Sequence, residues 1–129
     1  MMSGSCLCGK VKYKVSGAIG DIVHCHCQTC RKAHGSAFSS VAAVKDHEFK
    51  LFTTRALACF ESSLGKKRYF CSNCGTQIYA KRAGTEHIIL RLGSLDGSPK
   101  WTEKNHIWVS QKASWYSINS TLPECQQFE

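Results

Sequence analysis

The sequence predicts a mainly β domain with little helix, held by metal-binding cysteines, and three observations carry that prediction. Short stretches alternate apolar and polar residues with the two-residue period of a half-buried strand. Turn signals separate them at Gly65, Gly75, Gly84 and Asp96-Gly97. Seven of the nine cysteines fall into three tight groups, Cys6/Cys8, Cys25/Cys27/Cys30 and Cys71/Cys74, and thiols at such gaps converge on one metal ion.

Residues 10–16 read as the first strand, because Lys10, Lys12 and Lys14 alternate with Val11, Tyr13 and Val15. Residues 21–26 read as the second. Residues 28–34 fit a short helical turn that stops at Gly35. Residues 36–45, small and apolar, read as a buried strand. Residues 49–53, 56–62, 67–71, 76–81 and 87–92 concentrate β-branched and aromatic residues and are further strands. The C-terminal segment carries Trp101, Trp108, Trp115 and Tyr116 around Pro99 and Pro123, and is expected to wrap on the core.

A chain of 129 residues with 43% hydrophobic and 10% aromatic residues is expected to form one domain, residues 1–129, with a real core. No apolar run approaches the roughly 20 residues of a membrane span. Met1 to Ser5 lack the basic and apolar regions of a signal peptide, so the expected location is cytoplasmic. In that compartment nine cysteines, an odd number, favour metal chelation over a disulfide framework. The net charge of +8 is dispersed. Lys66-Lys67-Arg68 reads as a short solvated cluster, and no basic stripe is interleaved with aromatics. A nucleic-acid-binding zinc module is therefore the weaker alternative. The basic surface would still attract small anions, including acidic thiol peptides.

Cys71-Ser72-Asn73-Cys74-Gly75 is a zinc knuckle: the glycine permits the tight turn and brings N–H groups towards the thiolates. One knuckle supplies two ligands and a closed tetrahedral site needs four. Cys6-Leu7-Cys8-Gly9 is the evident second donor, since i and i+2 share a side in an extended segment. Cys6, Cys8, Cys71 and Cys74 then staple the N-terminus to the middle of the chain.

Cys25-His26-Cys27-Gln28-Thr29-Cys30 offers three thiols. Three ligands and one open position make the arrangement of a catalytic zinc, here able to take water or a thiol. Alternatively a fourth ligand closes the site, with His24, His26, His34 and Cys59 as candidates. His34, four residues after Cys30, is the best placed of these. A redox switch is a further alternative. His26 and His34 are candidate proton shuttles, and Arg31 and Lys32 candidate partners for a ligand carboxylate. Ser39, Ser40 and His106 read as structural residues, Asp96 as a turn-former, and Cys59 as core packing. Cys125 has no assigned role.

Taken in order, Cys6-x-Cys8-Gly9, Cys25-His26-Cys27-x-x-Cys30-Arg31-Lys32 and Phe70-Cys71-x-x-Cys74-Gly75-Thr76 resemble the glutathione-dependent formaldehyde-activating family, which includes the domain of centromere protein V. Gly93-Ser94-Leu95-Asp96, His106-Ile107-Trp108 and Trp115 look similar too. The resemblance implies a β-tent fold, a structural zinc on Cys6, Cys8, Cys71 and Cys74, and a second zinc on Cys25, Cys27 and Cys30 near which glutathione binds. It also implies carbon–sulfur chemistry, joining formaldehyde to glutathione as S-hydroxymethylglutathione or reversing that step. Three thiolates make a zinc electron-rich, which favours thiol exchange over water activation. Because thiols add to formaldehyde unaided, a non-catalytic thiol-binding protein is the alternative to a carbon–sulfur lyase.

Overall fold

The computed structural model describes residues 1–128. Ten strands form two sheets, and the only α-helix among the described residues is short. The smaller sheet has the order β1-β2-β5, from Met2–Ser5, Lys12–Val15 and Phe49–Thr53. The larger runs β10-β3-β4-β9-β8-β7-β6. Its strands are β3 (Ile22–Cys25), β4 (Ser39–Lys45), β6 (Leu57–Ser63), β7 (Lys66–Cys71), β8 (Gln77–Arg82), β9 (His87–Arg91) and β10 (Glu103–Ile107). All pairings are antiparallel except β10 with β3.

The alternation around Lys12 is as the sequence implies. Val11, Tyr13 and Val15 are buried while Lys10, Lys12 and Lys14 are exposed. Those three apolar side chains meet Val44, Ile78, Ile88 and Leu90 of the larger sheet, and this is the core between the sheets. Tyr13 closes it with a 2.8 Å hydrogen bond to Ser94 Oγ.

Cross-strand partners point to the same side of a sheet, so register alone sorts the larger sheet's two faces. Ile88 and Leu90 face the core; Ile89 and Arg91 face away from it. Cys25 pairs with Ser39, Val41 with Arg91, Ala80 with Ile89 and Arg68 with Ala80. The outer face therefore presents Cys25, Ser39, Arg91 and Arg68. The helix α1 (Gln28–His34) lies beside it, starting at Cys27 and ending at Gly35 with φ 60°, as the sequence predicts.

Several expectations need correction. Two strands are missed, β1 and β10. Neither has a readable alternation: β1 is Met-Ser-Gly-Ser, and β10 is polar but buried at its end, being held by β3 on one side and by the His106–Glu124 bridge on the other. Cys59 is exposed on the edge strand β6 rather than packed in the core. Arg68, expected to be solvated, is 5% exposed, because its register places it on the face beside α1.

Candidate metal centres

The first group brings Cys6, Cys8, Cys71 and Cys74 together, with sulfurs all within 4.8 Å of one another. Cys6 and Cys8 lie 3.6 Å apart and Cys8 and Cys71 3.7 Å. Metal–sulfur bonds of about 2.3 Å at a tetrahedral angle require sulfur–sulfur edges of about 3.8 Å, and a disulfide about 2.05 Å. The spacing fits a tetrathiolate metal site, and all nine cysteines are free thiols. The pairing of Cys6 with Cys8 does not arise from an extended segment, as expected, but from a turn. Gly9 (φ 80°) returns the chain so that its N–H donates to the Cys6 carbonyl, and Val11 N–H donates to Cys6 Sγ at 3.2 Å. Gly75 (φ 81°) does the same after Cys71. Thr76 clips the halves: its hydroxyl accepts from Leu7 N–H at 3.0 Å and lies 3.3 Å from Cys74 Sγ. That hydroxyl draws the Cys74 thiol down to about 5, while burial pushes Cys71 up to about 11.

The second group joins Cys25, Cys27 and Cys30, again within 4.8 Å. Cys25 ends β3, Cys27 is the N-cap of α1, and Cys30 is in its first turn, its N–H donating to Cys27 Sγ at 3.3 Å. Neighbouring thiols hold one another's protons: bonds from Cys25 and Cys27, then the Arg68 charge, pull Cys30 down, and the same sharing pushes Cys25 up. Among the described residues no fourth His, Cys, Asp or Glu atom joins this group. His34, expected to be the best closing ligand, lies outside it, as do His24, His26 and Cys59.

Sequence reasoning missed the cations. Arg68 directs Nη1 and Nη2 to Cys30 Sγ at 3.8 and 3.7 Å and is steadied by Nε to Ser62 Oγ at 3.0 Å. Arg91 is 4% exposed. Two buried arginines facing three thiols offset their charge. The sequence signalled only Arg91, which ends the apolar strand His87–Arg91, where a charged residue demands a partner; Arg68 follows two lysines and gave none.

The remaining candidates disperse. His34 lines a cavity with Ser39 and Arg91, and burial, then the Arg91 charge, lowers it to about 4. Lys32 lines the adjoining cavity with Arg68 and Phe60; Arg31 lines neither. His26 is fully buried and turns to His106, Nε2 to Nδ1 at 2.8 Å. Burial lowers it to about 4. His106 continues to Ser120 at 3.1 Å, while His24 bridges Ser40 and Glu103 at 2.9 and 2.8 Å. These histidines brace β3 against β10.

The family model described as glutathione-dependent formaldehyde-activating enzyme matches residues 1–111. An uncharacterized lyase of Schizosaccharomyces pombe is 30% identical over 116 residues, covering 89% of this chain and 83% of its own. A Rhodobacter sphaeroides protein of known crystal structure superposes with a TM-score of 0.65 at 22% identity, over 77% of this chain and 92% of that one. It shares the fold. Among the described residues no helix is long and apolar enough to cross a membrane.

Proposed function

Because the chain belongs to the glutathione-dependent formaldehyde-activating family, we propose that it is a zinc-dependent enzyme of carbon–sulfur lyase type. Its substrate is glutathione or a related thiol adduct such as S-hydroxymethylglutathione. One domain, residues 1–129, carries two zinc ions. The first is closed by Cys6, Cys8, Cys71 and Cys74; the second is held by Cys25, Cys27 and Cys30 and keeps one position for a ligand. The observation that carries this proposal is the three-thiol group with two buried arginines and a cavity at its side. Free thiols throughout suit a reducing compartment such as the cytoplasm.

When bound, the second zinc supplies Lewis acidity and a position that favours the thiolate form of a ligand at neutral pH. The chain's own residues do the rest. Arg68 holds positive charge against Cys30 and so limits the build-up of negative charge when another thiolate arrives. In the lyase direction the carbon–sulfur bond of a hemithioacetal breaks, its hydroxyl proton passes to sulfur, and formaldehyde and thiol result; joining is the reverse. His34 is neutral at pH 7, lines the cavity and is the group placed to carry that proton. Lys32 would attract a carboxylate at the cavity it lines with Arg68; Arg31 is half-buried and lines neither cavity. His26 sits behind the cysteines as a brace.

Cobalt substitution followed by a glutathione titration tests this. Two cobalt ions per chain, with one set of visible bands shifting saturably, are expected. Bands indifferent to glutathione overturn the thiol-on-metal proposal. Saturable binding without faster formation or cleavage of S-hydroxymethylglutathione leaves a thiol-binding protein and removes the enzyme.

A further inference from the structure

A cavity of about 380 Å³ is lined by His34, Phe38, Ser39, Thr76, Gln77 and Arg91 among others, and by no cysteine. Three of these come from α1, β8 and β9 and carry buried polar atoms with no hydrogen-bond partner: His34 Nε2, Gln77 Oε1, and Arg91 Nε and Nη2; the Ser39 hydroxyl is turned to Cys30. A buried polar group left unpaired is costly, and native proteins keep few of them. Three residues so placed around one space imply that something else pairs with them.

Arg91 decides the sign of that partner. It is 4% exposed, and the described ion pairs lie elsewhere, at His24–Glu103 and Lys81–Asp46. The three thiols act on Arg91 by charge, Cys30 foremost, but the guanidinium hydrogen bonds to Cys30 Sγ come from Arg68, at 3.7 and 3.8 Å, and leave the Arg91 donors unpaired. The two orphaned atoms of Arg91 are also informative, because Nε and Nη2 form one edge of the guanidinium. That edge presents two parallel N–H donors at the spacing of the two oxygens of a carboxylate. The Gln77 amide presents a further donor after a half-turn. Cys25 is the register partner of Ser39, and Cys30 is one turn before His34, so the cavity's inner wall is next to the second cysteine group.

We propose that this cavity is a carboxylate site in which Arg91 binds the anion, so that the adjacent three-cysteine centre selects acidic thiols over neutral ones. The carboxylate site stands by itself, while the selection among thiols rests on the function proposed above. It assigns Arg91 a specificity role, distinct from the outer position of Lys32.

The test uses the zinc-loaded protein with propionate, 3-mercaptopropionate and 2-mercaptoethanol. The Arg91 Nε–H resonance, assigned through bonds in the unsubstituted protein, is expected to shift saturably with both carboxylates and not with 2-mercaptoethanol. Arg91→Gln is expected to weaken 3-mercaptopropionate by about tenfold or more beyond whatever change it makes in 2-mercaptoethanol, the worth of a charged hydrogen-bonded pair. An Nε–H resonance indifferent to both carboxylates overturns the proposal, and that measurement needs no variant to fold. Equal weakening of both thiols in Arg91→Gln overturns it as well, since a merely structural arginine would act that way. Carboxylates that move the Arg91 resonance while no thiol moves the cobalt bands support the carboxylate site and sink the thiol-on-metal proposal.

Discussion

The two cysteine groups close loops of very different length, and their stabilities should differ accordingly. Cys8 and Cys71 are 63 residues apart. Cross-linking such a loop removes denatured-state entropy worth about 4 kcal/mol, whereas the five-residue spacing of Cys25 and Cys30 yields about 2 kcal/mol. For a chain of 129 residues, unfolding entropy converts these into losses of about 15 °C and about 7 °C in Tm. Cys8→Ser and Cys27→Ser are the matched perturbations. Cys8 is exposed and Cys27 half-buried, so neither opens a cavity, and serine at position 27 still caps α1. Thermal unfolding followed by circular dichroism, with zinc counted per chain, reads the difference. Equal losses, or a larger loss for Cys27→Ser, would refute the view that the first group is the long-range staple.

Other perturbations probe separate links. In Gly4→Ala the new Cβ would fall 2.1 Å from Tyr13 Cζ; that ring is fully buried, so overpacking should cost about 1–3 kcal/mol in denaturant titration. Arg68→Met removes a cation 3.7 Å from Cys30 Sγ. In protein stripped of metal at the second group, the first thiol ionisation there should rise by about one to three pKa units in ultraviolet thiolate titration; no change would mean that Arg68 is not felt by the thiols. His26 is lowered to about 4 by burial, so it is neutral when folded and protonates more readily when unfolded. Its contribution is present above about 6.5, and stability should fall as pH drops from about 6.5 to 4, by up to about 1.4 kcal/mol per pH unit. His26→Gln should flatten that limb in pH-dependent unfolding.

Local chemistry was legible in the sequence. Val11, Tyr13 and Val15 announced a half-buried strand, Gly35 ended the helix where its left-handed φ permits, and the cysteine spacings announced two metal-binding groups, because each signal acts over a few residues. What the sequence by itself could not determine was which distant residues share a face. Arg68 and Arg91, 23 residues apart, read as ordinary basic residues on strands. Register across β7, β8 and β9 puts them on one side of the sheet, and β4 brings Ser39 beside Cys25. His106 looked isolated for the same reason: its partner His26 is 80 residues earlier and meets it only through a parallel pairing that β10's polar sequence does not signal. Spacing along the chain thus determined each local cysteine cluster, while the fold joined Cys6 and Cys8 to Cys71 and Cys74 and the pairing of strands decided the charge around Cys30, because short gaps bring thiols together locally and buried cations act on whatever the fold places within a few ångströms.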